Sequence, residues 1–281
     1  MAIKLIAMDI DGTLLDSRSR LPEENAQAIA EAAAQGIEIA IVTGRRFHAA
    51  RSIADTLPCD VSLIVSNGAL VKSVSGETRM RLMLPVDTAR LVLEATSEFR
   101  PYSGVIFDRP FEKQVIFERI DWEGKFIGPY LNRHREQVAE VAPLTACLDA
   151  EDPVEIMFIG DCKTIRSAMQ TLETHEHKDK YTLSFTEYLH LDFSMLDVLR
   201  RGVNKGAALS EWARHRGIAR ENVMAIGDNW NDREMLDYAG VGIIMGNSVP
   251  ELKSQGWTVT LSNDECGVAA AIRKHALDGS L

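Results

Sequence analysis

The feature that most constrains this chain is an alternation that breaks off and then resumes. Over the first third, the short apolar runs Ile3–Met8, Ile37–Val42 and Val61–Val65 alternate with helix-like stretches. Apolar runs of that length without polar interruption are the pattern of strands covered on both faces. Pro22 suits a first helical turn, Ala26, Ile29, Ala30 and Ala33 recur at helical spacing, and Gly36 suits a stop. A second helical stretch runs from Arg46 to Leu57. Strand, helix and strand joined by short loops predict a parallel sheet with helices on both faces. The pattern returns late in the chain, with helices over Gly206–Arg216, Asp232–Tyr238 and Val268–His275 and strands over Val223–Ile226, Val241–Met245 and Trp257–Thr260.

Between the two blocks the pattern changes. Val71–Leu84 reads as a hairpin around Ser75-Gly76, and Asp87 is placed to cap a helix through Phe99. Extended stretches follow near Tyr102–Phe107, Gln114–Glu118, Val154–Ile159, Tyr181–Phe185 and Leu189–Phe193, with helices over Tyr130–Val141 and Lys163–Glu173. The expected architecture is therefore an α/β, parallel-sheet, Rossmann-like core from residues 1–84 plus 195–281, with residues 85–194 inserted as an α+β domain. The crossings near Leu84-Pro85 and Ser194–Leu199 are expected to act as hinges.

Composition narrows the function. Against 31 Lys and Arg stand 41 Asp and Glu, a net charge of −10, which makes a phosphate backbone a poor partner and argues against nucleic acid. Apolar runs stay well short of the roughly 20 residues that span a bilayer, so a membrane is not expected. The four cysteines form no C-x-x-C pair and read as reduced thiols of a cytoplasmic protein. The opening apolar stretch ends in two aspartates and reads as a buried strand, not a signal peptide.

Four polar clusters follow strands of the α/β block, the place where open parallel sheets bind ligands. In Asp9-Ile10-Asp11-Gly12-Thr13 two carboxylates stand two residues apart, and a hard divalent cation is the natural neutraliser. One acid can serve as nucleophile and the other as general acid, although a polar turn with a capping aspartate is the other reading. Thr43-Gly44-Arg45 offers a hydroxyl and backbone N–H groups to a phosphate, or is a capped strand-to-helix turn. Lys205, in Asn204-Lys205-Gly206, adds a positive charge at a helix start, or is a solvated lysine. In Gly227-Asp228-Asn229-Trp230-Asn231-Asp232, Asp228 and Asp232 are four apart and can face one ion, or the stretch is a turn with helix caps. Together the clusters describe a phosphate clamp on a metal, with acids on the cation and Thr43, Lys205 and Asn231 on the phosphate.

With these residues in view, the chain resembles the haloacid dehalogenase (HAD) superfamily, in its Cof-type phosphatase branch. Asp9-x-Asp11-Gly12-Thr13, Thr43-Gly44-Arg45, Lys205 and Gly227-Asp228-x-x-Asn231-Asp232 match that family's four motifs in order. Ser66-Asn67-Gly68-Ala69, Met245-Gly246-Asn247 and Ser262-Asn263-Asp264-Glu265-x-Gly267-Val268 also resemble the branch. The resemblance implies a HAD core with residues 85–194 as an α/β cap that sets substrate specificity. It implies Mg²⁺ as cofactor, with Asp9, Asp11, Asp228 and Asp232 as its ligands, Asp11 through its backbone carbonyl and Asp232 through water. Asp9 would be the nucleophile, Asp11 the acid and base, and Thr43, Gly44, Lys205 and Asn231 the phosphoryl holders. The expected activity is hydrolysis of small phosphorylated metabolites such as sugar phosphates, through an aspartyl-phosphate, by a monomer or weak homodimer. A phosphomutase of the same superfamily and a non-catalytic phospho-receiver are the alternatives. Trp230 is expected to pack behind its loop rather than stack on substrate, and His175 and His177 to lie in a solvated loop rather than bind metal.

Overall fold

Leu5–Met8 is wholly buried and lies between two parallel neighbours in the first of two compact units. The structure, a computed structural model, describes residues 2–110, 112–149 and 151–277. One unit comprises Met1–Arg81 with Asn204–Leu281, and the other Leu82–Val203.

Along the chain the first unit begins with β1 (Leu5–Met8), α1 (Glu23–Ala34), β2 (Glu38–Val42), α2 (Phe47–Ala54), β3 (Ser62–Val65), β4 (Leu70–Ser73) and β5 (Thr78–Arg81). The second unit holds α3 (Val86–Ala95), β6 (Ser103–Ile106), β7 (Val115–Phe117), α4 (Ile127–Leu131), β8 (Val138–Glu140), β9 (Glu155–Gly160), α5 (Cys162–Thr174), β10 (Tyr181–Tyr188) and β11 (Phe193–Arg200). The first unit resumes with α6 (Lys205–His215), β12 (Val223–Gly227), α7 (Arg233–Tyr238), β13 (Val241–Ile244), α8 (Pro250–Lys253), β14 (Thr258–Val259) and α9 (Gly267–Ile272).

The first unit is an eight-stranded sheet in the order β14-β13-β12-β1-β2-β3-β4-β5. The pairs from β14 to β3 are parallel, and β4 and β5 close one edge as an antiparallel hairpin. Leu5, Ala7, Ala40, Val42 and Ile64 share one buried cluster with Leu209 and Trp212 of α6 and Met235 and Leu236 of α7. The intervening Ile6, Met8, Ile39 and Ile41 are equally buried, and strand alternation sends them to the opposite face. Burial on both faces is why these strands read as unbroken apolar runs.

The second unit is a six-stranded sheet, β10-β11-β9-β6-β7-β8, antiparallel except for the β7–β8 pair. Helices α3 and α5 pack on it through Ala89, Val92, Leu93, Ile165, Ala168 and Leu172.

The α/β class and the inserted α+β unit are as the sequence leads one to expect, but several boundaries move. Leu84 is fully buried in the core of the second unit and its N–H donates to Pro153 O at 2.8 Å, so the first crossing falls at Arg81/Leu82 and not at Leu84-Pro85. Ser194–Leu199 is the middle of β11, hydrogen-bonded to β10 on one side and mostly to β9 on the other. A strand held along both edges cannot serve as a hinge, and the unit continues to Val203. Helix α3 starts at Val86 with Pro85 in the capping position, and Asp152 Oδ1 accepts from Val86 N at 2.8 Å, so Asp87 is a first-turn acid and not the cap. The helix expected over Tyr130–Val141 ends at Leu131 and its following turn at Gln137, because Val138–Glu140 pairs instead with β7. Leu189–Leu191 is a tight helical turn between β10 and β11, not a strand.

Candidate active site

Polar loops at the ends of β1, β2, β3 and β12 converge. After β1 the chain turns at Asp9–Leu14, and Gly12 takes φ +78°, a left-handed conformation. A Cβ at Gly12 would lie 2.4 Å from Asp228 Oδ2, so the glycine is also what lets the loop lie against the acid. After β12, Asp232 reaches back to accept the N–H groups of Asp228 and Asn229 on Oδ2, at 2.9 and 3.0 Å. Asn229 reciprocates as a helix cap, which fixes the whole turn.

Lys205 opens α6 but lies 1% exposed, with its Nζ donating to Asp9 Oδ1 at 2.7 Å and Asp232 Oδ1 at 2.6 Å. Thr13 Oγ1 donates to Asp228 Oδ1 at 3.0 Å. The carboxylates of Asp9, Asp228 and Asp232, all buried, offer ligand atoms within 4.8 Å of one another. Three acids against one lysine leave an excess of buried negative charge. Burial, aided by Asp232 and Asp11 and opposed by Lys205, pushes Asp9 up to about 7. Burial also raises Asp228 well above the usual carboxylate range, with Asp232 and Asp9 adding to it. Burial works against the charge on Lys205, but Asp232 and Asp9 more than offset it and hold the ammonium above its ordinary range.

Asp11 stands apart from this cluster. Both its oxygens accept from Arg45, Oδ2 from Nε at 2.7 Å and Oδ1 from Nη2 at 2.6 Å. Arg45 follows the buried Thr43, whose Oγ1 accepts the Arg45 N–H at 3.2 Å. Ser66, Asn67 and Gly68, after β3, all have positive φ, a strained run held by Asn67 N donating to Thr43 O and Ser66 N to Arg45 O. Asn67 Oδ1 accepts from Asn231 Nδ2 at 3.2 Å, and a Cβ at Gly44 would sit 3.2 Å from that oxygen. Thus Gly44, Asn67 and Asn231 share one edge of the site.

Sequence reasoning misses four partners: Arg45 on Asp11, Thr13 on Asp228, Asn67 on Asn231, and Asn247, whose Nδ2 donates to Gly12 O at 2.9 Å. All four lie in or beside strand-end motifs, which is the signal that points to them. It also places Lys205 on phosphate alone, whereas the side chain here binds two acids. Asp232 contacts backbone and Lys205 directly and is fully buried. Trp230 is 38% exposed, so its ring lies partly in solvent. His175 and His177 stack edge-on at a centroid distance of 5.6 Å, and among the described residues they join no group of three converging ligands.

An acid cluster with a buried lysine, at the carboxyl ends of a parallel sheet, is the arrangement of an enzyme that handles phosphate. The sequence profile of the haloacid dehalogenase-like hydrolases matches residues 6–272, and the chain belongs to that family. An Escherichia fergusonii protein named HMP-PP phosphatase is 33% identical over 261 residues, covering 90% of this chain and 87% of its own. A haloacid dehalogenase-like hydrolase from B. subtilis has a solved structure with TM-score 0.79 and 25% identity, over 96% of this chain and 99% of that one. A solved subclass IIB sugar phosphatase shares the fold at TM-score 0.75 and 19% identity, over 98% and 99% of the two chains. The chain is a phosphatase of the HAD type, and no helix among its described residues is long and apolar enough to cross a membrane.

Proposed function

We propose that this phosphatase hydrolyses small phosphorylated metabolites, sugar phosphates among them, through a phospho-aspartyl intermediate on Asp9 and with Mg²⁺ at the acid cluster. The observation that carries the reading is the buried convergence of Asp9, Asp228 and Asp232 around Lys205. The donor set suits a hard divalent cation: carboxylate oxygens only, buried, and short of positive charge. Asp9, Asp228 and Asp232 would hold it, with the Asp11 backbone carbonyl as a further oxygen. Bound there, Mg²⁺ would offset the charge of the phosphoryl oxygens.

The chain's own groups do the rest. Lys205 fixes Asp9 through Oδ1, and among the described residues no donor reaches Oδ2, which is left to attack phosphorus. As the Asp9 O–P bond forms, the ester P–O bond breaks and its electron pair leaves on the alkoxide. Asp11 gives that oxygen a proton and becomes a carboxylate. It then takes a proton from water as the water oxygen attacks phosphorus, which frees Asp9 and inorganic phosphate. Thr43, Gly44 and Asn231, along one edge of the site, would hold the phosphoryl oxygens with Lys205. The inserted unit, Leu82–Val203, is the proposed source of selectivity among leaving groups. The test is phosphate release from a panel of phosphorylated metabolites with Mg²⁺ and with chelator, and acid-quench trapping of phosphorylated Asp9. Turnover that survives chelation, or free phosphate formed with no labelled protein at any time point, overturns the reading.

A further inference from the structure

The contact that the catalytic scheme leaves unexplained is the fork between Arg45 and Asp11. Asp11 is to meet a leaving-group oxygen, yet here both its oxygens are taken by one guanidinium, at 2.7 and 2.6 Å. A carboxylate so engaged has a lone pair on each oxygen committed to the guanidinium, and its orientation is set by the arginine. The pair is also not buried: the side chains are 25% exposed for Arg45 and 42% for Asp11. Exposed ion pairs are cheap to break, in contrast with the sealed Lys205 pairs. The arginine stands two residues beyond Thr43, on the loop that meets phosphate, and its N–H is already anchored to the Thr43 hydroxyl. A phosphate dianion presents a guanidinium with the same two-oxygen edge as a carboxylate, and with more charge.

We infer that Arg45 is an exchangeable latch, which holds Asp11 until a phosphate monoester arrives and then passes to its phosphoryl oxygens. The exchange frees Asp11 only when an ester is present, so the proton-transfer group is released by the group on which it acts. Arg45 is thus a phosphate contact and, through Asp11, a positioning residue. The inference rests on the proposed role of Asp11, and its test separates the two.

Inorganic phosphate is titrated calorimetrically, with Mg²⁺ present, into the wild-type chain, Asp11→Asn, Arg45→Gln and the double variant. Arg45→Gln should weaken phosphate binding on the order of tenfold or more, since a charge-assisted fork is lost. Asp11→Asn should tighten it several-fold, because the competitor for the guanidinium has lost its charge. The decisive result is the cycle: in the Arg45→Gln background the gain from Asp11→Asn should vanish. A gain of undiminished size there would mean a general charge effect and would overturn the latch, as would phosphate binding by Arg45→Gln at the wild-type level. Should Arg45→Gln fail to fold, Arg45→Lys keeps the charge but not the fork and carries the same two outcomes. Separately, kcat/KM of Asp11→Asn is compared for an alkyl and an activated aryl phosphate. A much larger loss on the alkyl ester upholds proton transfer by Asp11, and equal losses overturn that role whatever the binding cycle gives.

Discussion

Replacing Lys205 by methionine asks how much of this site is held together by one charge. The ammonium is 1% exposed and makes two short contacts, 2.7 Å to Asp9 and 2.6 Å to Asp232. Methionine fills similar volume but leaves two buried acids facing each other, with Asp228 close by. Removing one partner of a buried ion pair costs about 3–5 kcal/mol. For a chain of this size each kcal/mol moves Tm by roughly 2–4 °C, so the expected fall is about 10 °C at pH 8. The loss should depend on pH in a definite direction. Lys205 lowers the Asp9 pKa, so without it Asp9 rises further above about 7, while the unfolded chain keeps an ordinary carboxylate. The folded state then binds the extra proton, and its stability falls as pH rises through that interval. The deficit should therefore be smaller at pH 5 than at pH 8. Thermal unfolding by circular dichroism at both pH values, with phosphate release on the same samples, measures it. A variant within 2 °C of wild type at pH 8, or a deficit that shrinks with rising pH, would refute the reasoning.

Three further outcomes are expected. Asp9→Asn should abolish turnover and keep the fold. In metal-free samples it should also gain stability over wild type as pH rises from about 5 to 8, because the wild-type chain must ionise an acid shifted up to about 7; parallel Tm profiles would count against this. Adding Mg²⁺ should raise the wild-type Tm more at pH 8 than at pH 5, since the ion and the protons compete for the same carboxylates, and an equal rise at both would speak against the cluster as its site. Gly12→Ala should lose most activity, because φ +78° and a 2.4 Å approach to Asp228 Oδ2 leave no room for a methyl group; full kcat/KM in a folded variant would show that the loop tolerates another path.

The sequence is most legible where one physical cause dominates. Strands buried on both faces announce themselves as apolar runs, and acids at their ends stand out because an apolar neighbourhood makes them costly. That is enough to bring Asp9, Lys205, Asp228 and Asp232 to one place. It is less legible where a partner distant in sequence decides. Val138–Glu140 carries a helical pattern, but β7 offers it a free edge. Ser194–Leu199 borders two patterns yet lies inside a strand paired on both sides. Trp230 is apolar, which argues for packing, but the capped turn around it leaves the ring partly in solvent. The Arg45–Asp11 fork spans 34 residues, and nothing in either motif alone says that they meet.

The place of β1 in its sheet has a consequence for how the protein is made. Leu5–Met8 pairs with β2 on one side and with Val223–Ile226 on the other. The second partner leaves the ribosome roughly 200 residues after the first, about 10–40 s at ordinary elongation rates. For that time a fully apolar strand presents an open edge, and the inserted unit is synthesised in the interval. Until β12 is made, that edge is open to mispairing.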